Sequence, residues 1–185
     1  GIAGIGTTKE VSNPNTLDSK NTVIRTAAMD CYILPCEYMG FDTTSIASSD
    51  TFAALQTGVV EGLAGSTPAG AYLNYRDIID YYYVYQMSPE VTQIMISEKT
   101  LAKLSPEDQK TIVDICRQEC ANSVNYAKEE DEKYLKLMED NGIKIVRFTD
   151  EEIEMFAEAV RTNVWPQLAK TYGEDFINEL LKLYK

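Results

Sequence analysis

One helical pattern, running without interruption from Ser105 to Asn141, constrains the fold more than any other feature of this chain. Ser105 suits an N-cap, Pro106 suits the first helical position, and Gly142 ends the pattern. The apolar positions at helical spacing are Ile112, Ile115, Cys116, Cys120, Val124, Ala127, Tyr134, Leu135 and Met138. Such a helix is about 55 Å long, whereas a compact chain of this length has a diameter of about 40 Å. We therefore expect the helix either to break or to span two lobes.

Short apolar segments alternate with helical ones on both sides of this long helix. The predicted strands are Val23–Thr26, Val59–Ala64, Tyr81–Gln86, Val91–Ile96 and Ile143–Phe148. The predicted short helices are Met29–Met39, a segment capped by Ser49 and ending at Gly58, a segment after Pro68, one opened by a Thr149–Glu152 capping box, Val164–Tyr172 and Glu174–Lys185. Residues 1–21 are rich in Gly, Ser, Thr and Asn and are predicted to be a loop. The alternation predicts an α/β fold with a mixed or mostly parallel sheet.

Charge and composition exclude several classes of function. The chain has 17 basic and 29 acidic residues, a net charge of -12, and no histidine. A chain with this much negative charge repels nucleic acid and anionic lipid surfaces. Without imidazole, histidine-based triads and most catalytic zinc sites are unavailable. We therefore predict a protein that is not an enzyme and needs no cofactor.

The remaining reactive groups have competing interpretations. The cysteines Cys31, Cys36, Cys116 and Cys120 are interpreted as free thiols, with disulfides or a metal site as alternatives. The acidic run 129–132 suggests a solvated helix face, acid–base chemistry or calcium binding, and the solvated face is favoured. The tyrosines of residues 72–85 suggest either strand packing or stacking on an aromatic ligand.

Arg25 is the residue whose position most needs an explanation. It lies inside the β-branched segment Val23–Thr26, where a guanidinium is costly to bury unless it meets a carboxylate. One interpretation is an internal ion pair or a solvated strand end. The other is a contact with a ligand carboxylate at the carboxyl end of a strand, where open α/β sheets bind their ligands.

Arg25, Gly40 and the run Phe52–Gly62 (FAALQTGVVEG) closely resemble the motif of TRAP transporter solute receptors of the DctP type. In that family a strand ending in arginine is followed by A-L-Q-T-G-x-V-D-G. Further stretches that match in order are Leu17–Lys20, Tyr75–Asp77, Ile96–Thr100, Leu104–Gln109 and Asn141–Ile143. The resemblance covers nearly the whole chain.

The resemblance implies an extracytoplasmic protein that closes two α/β lobes over a small organic acid and delivers it to a membrane permease. A sensory ligand-binding domain of a signalling system is the alternative. It also implies that the family's first lobe has no counterpart here. Residues 1–90 would then be the core of the second lobe, 91–130 a crossing strand and half-helix that pack on the first lobe, and 131–185 the return to the second lobe. We expect a second copy of the chain to cover the surface that the first lobe leaves open.

The resemblance also implies particular site residues. Arg25 matches the carboxylate-binding arginine, Ala27 and Ser48 match pocket-lining positions, and Thr92 matches a polar pocket residue. Gly65, with Ser66 beside it, stands where many members have a ligand-binding asparagine. Two departures weaken a dicarboxylate as the substrate: Gly65 has no side chain, and Ala3-Gly4-Ile5 stands where some members place a second arginine. They would leave room for a bulkier or less polar acid.

Overall fold

Six strands form one mixed sheet at the centre of the computed structural model, which describes residues 1–184. The strands are β1 (Ile2–Thr7), β2 (Val23–Thr26), β3 (Asp42–Ser45), β4 (Gly62–Ser66), β5 (Tyr81–Pro89) and β6 (Lys144–Val146). Their order across the sheet is β3-β2-β4-β1-β5-β6. β2 is parallel to β3 and to β4, β5 is parallel to β6, and β1 runs antiparallel to both of its neighbours. The predicted α/β class with a mixed sheet is confirmed.

Residues 1–184 also form eight α-helices. They are α1 (Asp30–Tyr38), α2 (Thr51–Gln56), α3 (Pro68–Tyr75), α4 (Glu98–Leu101), α5 (Pro106–Asp140), α6 (Asp150–Asn163), α7 (Trp165–Tyr172) and α8 (Glu174–Lys182). The helix predicted over Glu174–Lys185 forms as α8 and ends at Lys182, while Lys185 lies outside the described residues.

The long helix forms as one continuous element. α5 has 35 residues, and its N-cap hydroxyl on Ser105 accepts a hydrogen bond from the Asp108 amide at 3.1 Å. Its carboxyl-terminal end is anchored in the core through Leu135 and Met138. Further toward its amino-terminal end, Ile115, Cys120 and Val124 are exposed. The helix therefore does not break, and part of its apolar stripe is uncovered within the described chain.

The prediction of a loop over residues 1–21 is wrong at its beginning, because Ile2–Thr7 forms β1 in the interior of the sheet. The glycines that suggest a loop are required there by close packing. A Cβ atom at Gly4 would lie 2.5 Å from the Tyr83 carbonyl oxygen, so only glycine fits between β4 and β5.

The strand predicted over Val91–Ile96 is also wrong, since residues 91–97 have no regular secondary structure and are exposed. High β-propensity forms a strand only where a neighbouring strand accepts its backbone hydrogen bonds. The assignment of residues 91–130 to a surface facing a first lobe stays a prediction.

The elements on either side of Gly58 begin at other residues than the sequence predicts. Ser49 does not cap α2: a 3₁₀ turn over Ser48–Asp50 precedes this helix, and Asp50 occupies its N-cap position. The strand predicted over Val59–Ala64 forms later, as β4, because Val59 and Val60 belong to the turn that follows α2.

Each face of the sheet buries its own apolar cluster. α1 and α6 cover one face, with Ile24, Cys36 and Phe156 in the cluster. α2, α3 and the end of α5 cover the other, with Leu55, Leu63 and Met138. The four cysteines are free thiols, and burial raises the pKa of Cys36 to about 12, which keeps this thiol protonated.

The β5 tyrosines serve packing and loop anchoring. Tyr81, Tyr83 and Tyr85 stack along one face of β5. The Tyr83 hydroxyl accepts a hydrogen bond from the Val11 amide at 2.7 Å, and the Tyr85 hydroxyl donates to the Pro14 carbonyl at 2.6 Å. These contacts attach the loop between β1 and β2 to the sheet.

Lys20 anchors the other end of the same loop from a buried position. Its Nζ donates to the carbonyl oxygens of Thr16 at 2.6 Å and of Asp18 at 3.0 Å, and only 1% of the residue is exposed. Its backbone amide donates to the Gly40 carbonyl at 2.7 Å. Burial lowers the pKa of Lys20, and the nearby Asp18 charge partly offsets this effect.

We predict that Lys20→Met lowers the free energy of unfolding by about 2 to 3 kcal/mol, because two carbonyl groups lose a charged donor. Urea titration followed by circular dichroism measures this change. Lys9→Met is the matched control: Lys9 is exposed and pairs with Glu61 at the surface, so its loss should cost less than about 1 kcal/mol. Equal effects of the two substitutions would contradict the anchoring role.

Candidate functional site

The carboxyl ends of four strands meet at one edge of the sheet. β2, β3 and β4 are parallel, and β5 has the direction of β4 because both are antiparallel to β1. Open α/β sheets bind ligands at this kind of edge. The sequence-predicted site residues Arg25, Ala27, Ser48, Gly65 and Ser66 all lie on the final residues of these strands or just beyond them.

Arg25 presents a guanidinium with unused donors at this edge. Its Nε donates to the Ile46 carbonyl at 2.8 Å, which holds the half-buried side chain against the end of β3. Within residues 1–184, neither Nη1 nor Nη2 donates to a protein atom, and no carboxylate lies within ion-pair distance. The internal ion pair is therefore not formed. Two Nη groups with free donors match the geometry of a bidentate carboxylate contact.

The other predicted site residues at this edge have small or short side chains. Ala27 follows β2 directly, and its carbonyl accepts a hydrogen bond from the Met29 amide at 2.8 Å. Ser48 is exposed at the start of the 3₁₀ turn after β3. At the end of β4, the Ser66 carbonyl accepts a hydrogen bond from the Tyr82 hydroxyl at 2.7 Å.

Gly65 adopts a left-handed conformation, with φ 79°, where β4 shifts register against β1. A Cβ atom at this position would lie 3.1 Å from the ring of Tyr32, in the first turn of α1. Burial raises the pKa of the Tyr32 hydroxyl, and the neighbouring Glu90 carboxylate raises it further. Sequence reasoning missed Tyr32, because no motif or periodicity connects it with Gly65.

Thr92 is the predicted site residue that the structure does not place with the others. It is exposed in the irregular segment that follows β5. The chain reaches this segment from the same sheet edge, since β5 ends there at Pro89. Its role in a pocket stays a prediction.

A largely apolar cavity of about 540 Å³ lies next to this edge. It is enclosed by α1, the end of β5, α6 and α7, and both Gly65 and Tyr32 form part of its wall. Among residues 1–184 there is no group of three side chains suited to hold a metal ion. None of the helices described over those residues is both apolar enough and long enough to span a bilayer.

An α/β lobe of this topology is of the periplasmic-binding-protein type. The chain belongs to the DctP family, bacterial extracellular solute-binding protein family 7, whose sequence profile matches residues 1–171. This match confirms the resemblance drawn from the FAALQTGVVEG motif. The family is one of solute-binding transport proteins.

Solved structures of TRAP periplasmic solute-binding proteins share this fold. An apo, open structure from Escherichia fergusonii has a TM-score of 0.76 at 22% identity, covering 97% of this chain and 58% of that one. A Desulfovibrio salexigens protein with bound orotic acid also has a TM-score of 0.76, at 15% identity, covering 100% of this chain and 58% of that one. A Pseudomonas putida protein with bound D-glucuronate has a TM-score of 0.71 at 19% identity, covering 97% and 56%.

The chain thus spans less than two thirds of the length of these proteins, and at such identities the likeness establishes the fold alone. No protein of curated function matches the chain significantly.

Proposed function

We propose that this chain is the ligand-holding lobe of a TRAP-type solute receptor, which captures a small organic acid through Arg25 in an interlobe cleft. The observation that carries the proposal is the Arg25 guanidinium, which is held through Nε at the carboxyl edge of the sheet, while neither Nη group has a partner among residues 1–184. A buried guanidinium–carboxylate pair that also touches a second lobe favours the closed state, since the ligand then bridges both lobes.

Family membership and the ligands of the similar structures support this proposal. Solved structures of similar TRAP periplasmic solute-binding proteins contain bound D-glucuronate, L-galactonate, orotic acid or succinate, each of which is an organic acid. The receptor works outside the cytoplasm and passes its acid to the membrane subunits of the transporter.

Calorimetric titration with small carboxylic acids and their methyl esters tests this function on a form of the protein that contains both lobes. We expect at least one acid to bind and its ester to bind at least about 100-fold more weakly, because the ester lacks the charge that Arg25 pairs with. Equal affinity for acid and ester would contradict the assignment.

Exposed apolar side chains in the segment after β5 and along α5 should be covered in the working protein: Val91, Ile94, Met95, Val124 and Tyr126. We propose that the first lobe covers them, and that a second copy of the chain does so when residues 1–185 are produced alone. Sedimentation velocity should then show a dimer of the chain that Met95→Glu with Val124→Glu dissociates. A two-lobe form should stay monomeric. A chain that is monomeric at high concentration would contradict this assignment.

A further inference from the structure

The six-stranded sheet is interrupted along one line, called here the bulge line, where β1 changes register against both of its neighbours. On the β4 side the change falls between Gly4 and Ile5, and it leaves Gly65 as an extra residue on β4. On the β5 side it falls between Ala3 and Ile5, where residues 84–87 of β5 face Gly4 alone. Bulges of this kind break the ladder of hydrogen bonds and bend the strand, so the sheet should bend most readily along this line.

The backbone on both sides of this line is in a left-handed conformation. Gly65 has φ 79° on β4, and Gln86 has φ 51° on β5. That conformation is unfavourable for a residue with a Cβ atom, and Gln86 is exposed, so packing of its side chain does not compensate. Strained backbone of this kind is concentrated in segments that switch conformation. The bulge line therefore has the backbone geometry of a hinge.

Beyond the bulge line, β1 and β5 continue together as a two-stranded ribbon of residues 1–3 and 88–90. Ile2 pairs with Pro89 on this ribbon. The Glu90 amide donates a hydrogen bond to the Gly1 carbonyl at 2.9 Å. In the two-lobe receptor proposed above, β1 enters from the first lobe and β5 leaves toward it, so the ribbon contains two of the crossings between the lobes.

The long helix α5, which is the third crossing, is joined to this ribbon by Asp131. Leu135 and Met138 bury the end of α5 in the core, whereas Val124 is exposed. Asp131 lies between these two parts, and its Oδ2 accepts a hydrogen bond from the Ile2 amide at 2.8 Å. Asp131 takes part in none of the ion pairs found among residues 1–184. Its carboxylate therefore binds the backbone of the ribbon rather than a basic side chain.

A buried tyrosine fills the bulge between the ribbon and the end of β4. Tyr82 is 0% exposed, and its hydroxyl donates a hydrogen bond to the Ser66 carbonyl at 2.7 Å. A Cβ atom at Gly4 would lie 2.8 Å from the same hydroxyl oxygen. Burial raises the pKa of this hydroxyl, and the charge of Asp131 raises it further. The Tyr82 side chain thus fixes the spacing between the last turn of β4 and the point where β1 becomes part of the ribbon.

We propose that Asp131 is a positioning residue for lobe closure: by joining α5 to the ribbon, its carboxylate makes the three crossings turn as one body about the bulge line. The inference rests on the function proposed above. A ligand that closes the lobes then does not have to order the ribbon and the helix separately, so the entropic cost of closure is smaller and the apparent affinity is higher. Asp131 acts through the Ile2 backbone and does not touch the acid.

We expect Asp131→Ala to weaken every acid that the two-lobe form binds by at least about fivefold, and by the same factor for each acid, because only closure is affected. Calorimetric titration with D-glucuronate, succinate and orotate measures this change. Asp131→Asn should stay within about twofold of the wild type, since its amide oxygen still accepts the hydrogen bond from the Ile2 amide. Asp140→Ala is the control and should leave the affinity unchanged, because it removes the same charge from an exposed position on α5.

X-ray scattering of the acid-saturated proteins separates this role from a purely structural one. With enough acid, the Asp131→Ala form should reach the same closed radius of gyration as the wild type. The inference fails if it does not, or if Asp131→Asn weakens binding as much as Asp131→Ala. Acid binding that survives Arg25→Ala overturns the receptor function and this inference with it, whereas binding that depends on Arg25 but not on Asp131 overturns this inference alone.

Discussion

Arg25→Ala is expected to abolish measurable binding of small organic acids, lowering their affinity by at least about 100-fold. Truncating one partner of a buried, hydrogen-bonded charge pair typically costs about 2 to 5 kcal/mol of binding free energy. Gly65 and Ala27, which lie at the same edge, carry no donor side chain that could replace the guanidinium. Calorimetric titration of the two-lobe form, together with ligand-induced shifts in melting temperature, measures the loss.

Two further variants make this prediction specific to the guanidinium. Arg25→Lys keeps the charge but cannot both bond to the Ile46 carbonyl and present a planar pair of donors, so we expect intermediate affinity. Arg76→Ala is the matched control. Arg76 is also partly exposed, but it lies at the carboxyl end of α3, where it packs over the Tyr72 ring. An unchanged affinity in Arg25→Ala would overturn the receptor mechanism.

We expect Gly40→Ala to lower the free energy of unfolding more than any other single-methyl substitution that we propose. Gly40 has φ 90°, and a Cβ atom there would lie 2.1 Å from the carbonyl oxygen of Asp18. The left-handed backbone costs an alanine about 1 to 2 kcal/mol, and the steric overlap should bring the total above about 3 kcal/mol. The Asp18 carbonyl cannot simply move away, because it accepts the hydrogen bond from Lys20 Nζ.

Gly58→Ala separates these two contributions. Gly58 also has a positive φ, 73°, but no atom lies within 4 Å of the position where its Cβ would be. We expect Gly58→Ala to lower the free energy of unfolding only by the backbone cost, about 1 to 2 kcal/mol. Chemical denaturation of both variants measures the difference. If Gly40→Ala lowered the free energy of unfolding no more than Gly58→Ala, Gly40 would not be in tight contact with the β1–β2 loop.

The sequence alone was sufficient to predict the helices whose capping residues lie within a few positions of their first turn. Ser105 caps α5 through the Asp108 amide, and Thr149 and Glu152 form the predicted capping box, with hydrogen bonds of 3.2 Å and 2.9 Å. These contacts join residues only three apart, so the sequence contains both partners. The FAALQTGVVEG motif likewise identified the family, because it is a contiguous run.

Strands at glycine-rich or edge positions were not predictable in this way. The glycines of β1 make its sequence look like a loop. Gly4 is required because Tyr82 and Tyr83 on β5 approach it too closely for a side chain. Val91–Ile96 has strand-like residues but no partner strand within the described chain. A strand forms only when a second segment, often distant in the sequence, pairs with it. The composition of one segment does not show whether that partner is present.

The sequence by itself determined the long helix, the α/β class and the family, and it singled out Arg25 as a candidate, because each depends on residues close together along the chain. Only the tertiary structure decided that the Arg25 guanidinium has no internal carboxylate partner within residues 1–184, that Tyr32 lies against Gly65, and that an apolar cavity lies beside both Tyr32 and Gly65. Those facts depend on how four strand ends and α1 converge in space, and no local pattern of residues encodes that convergence.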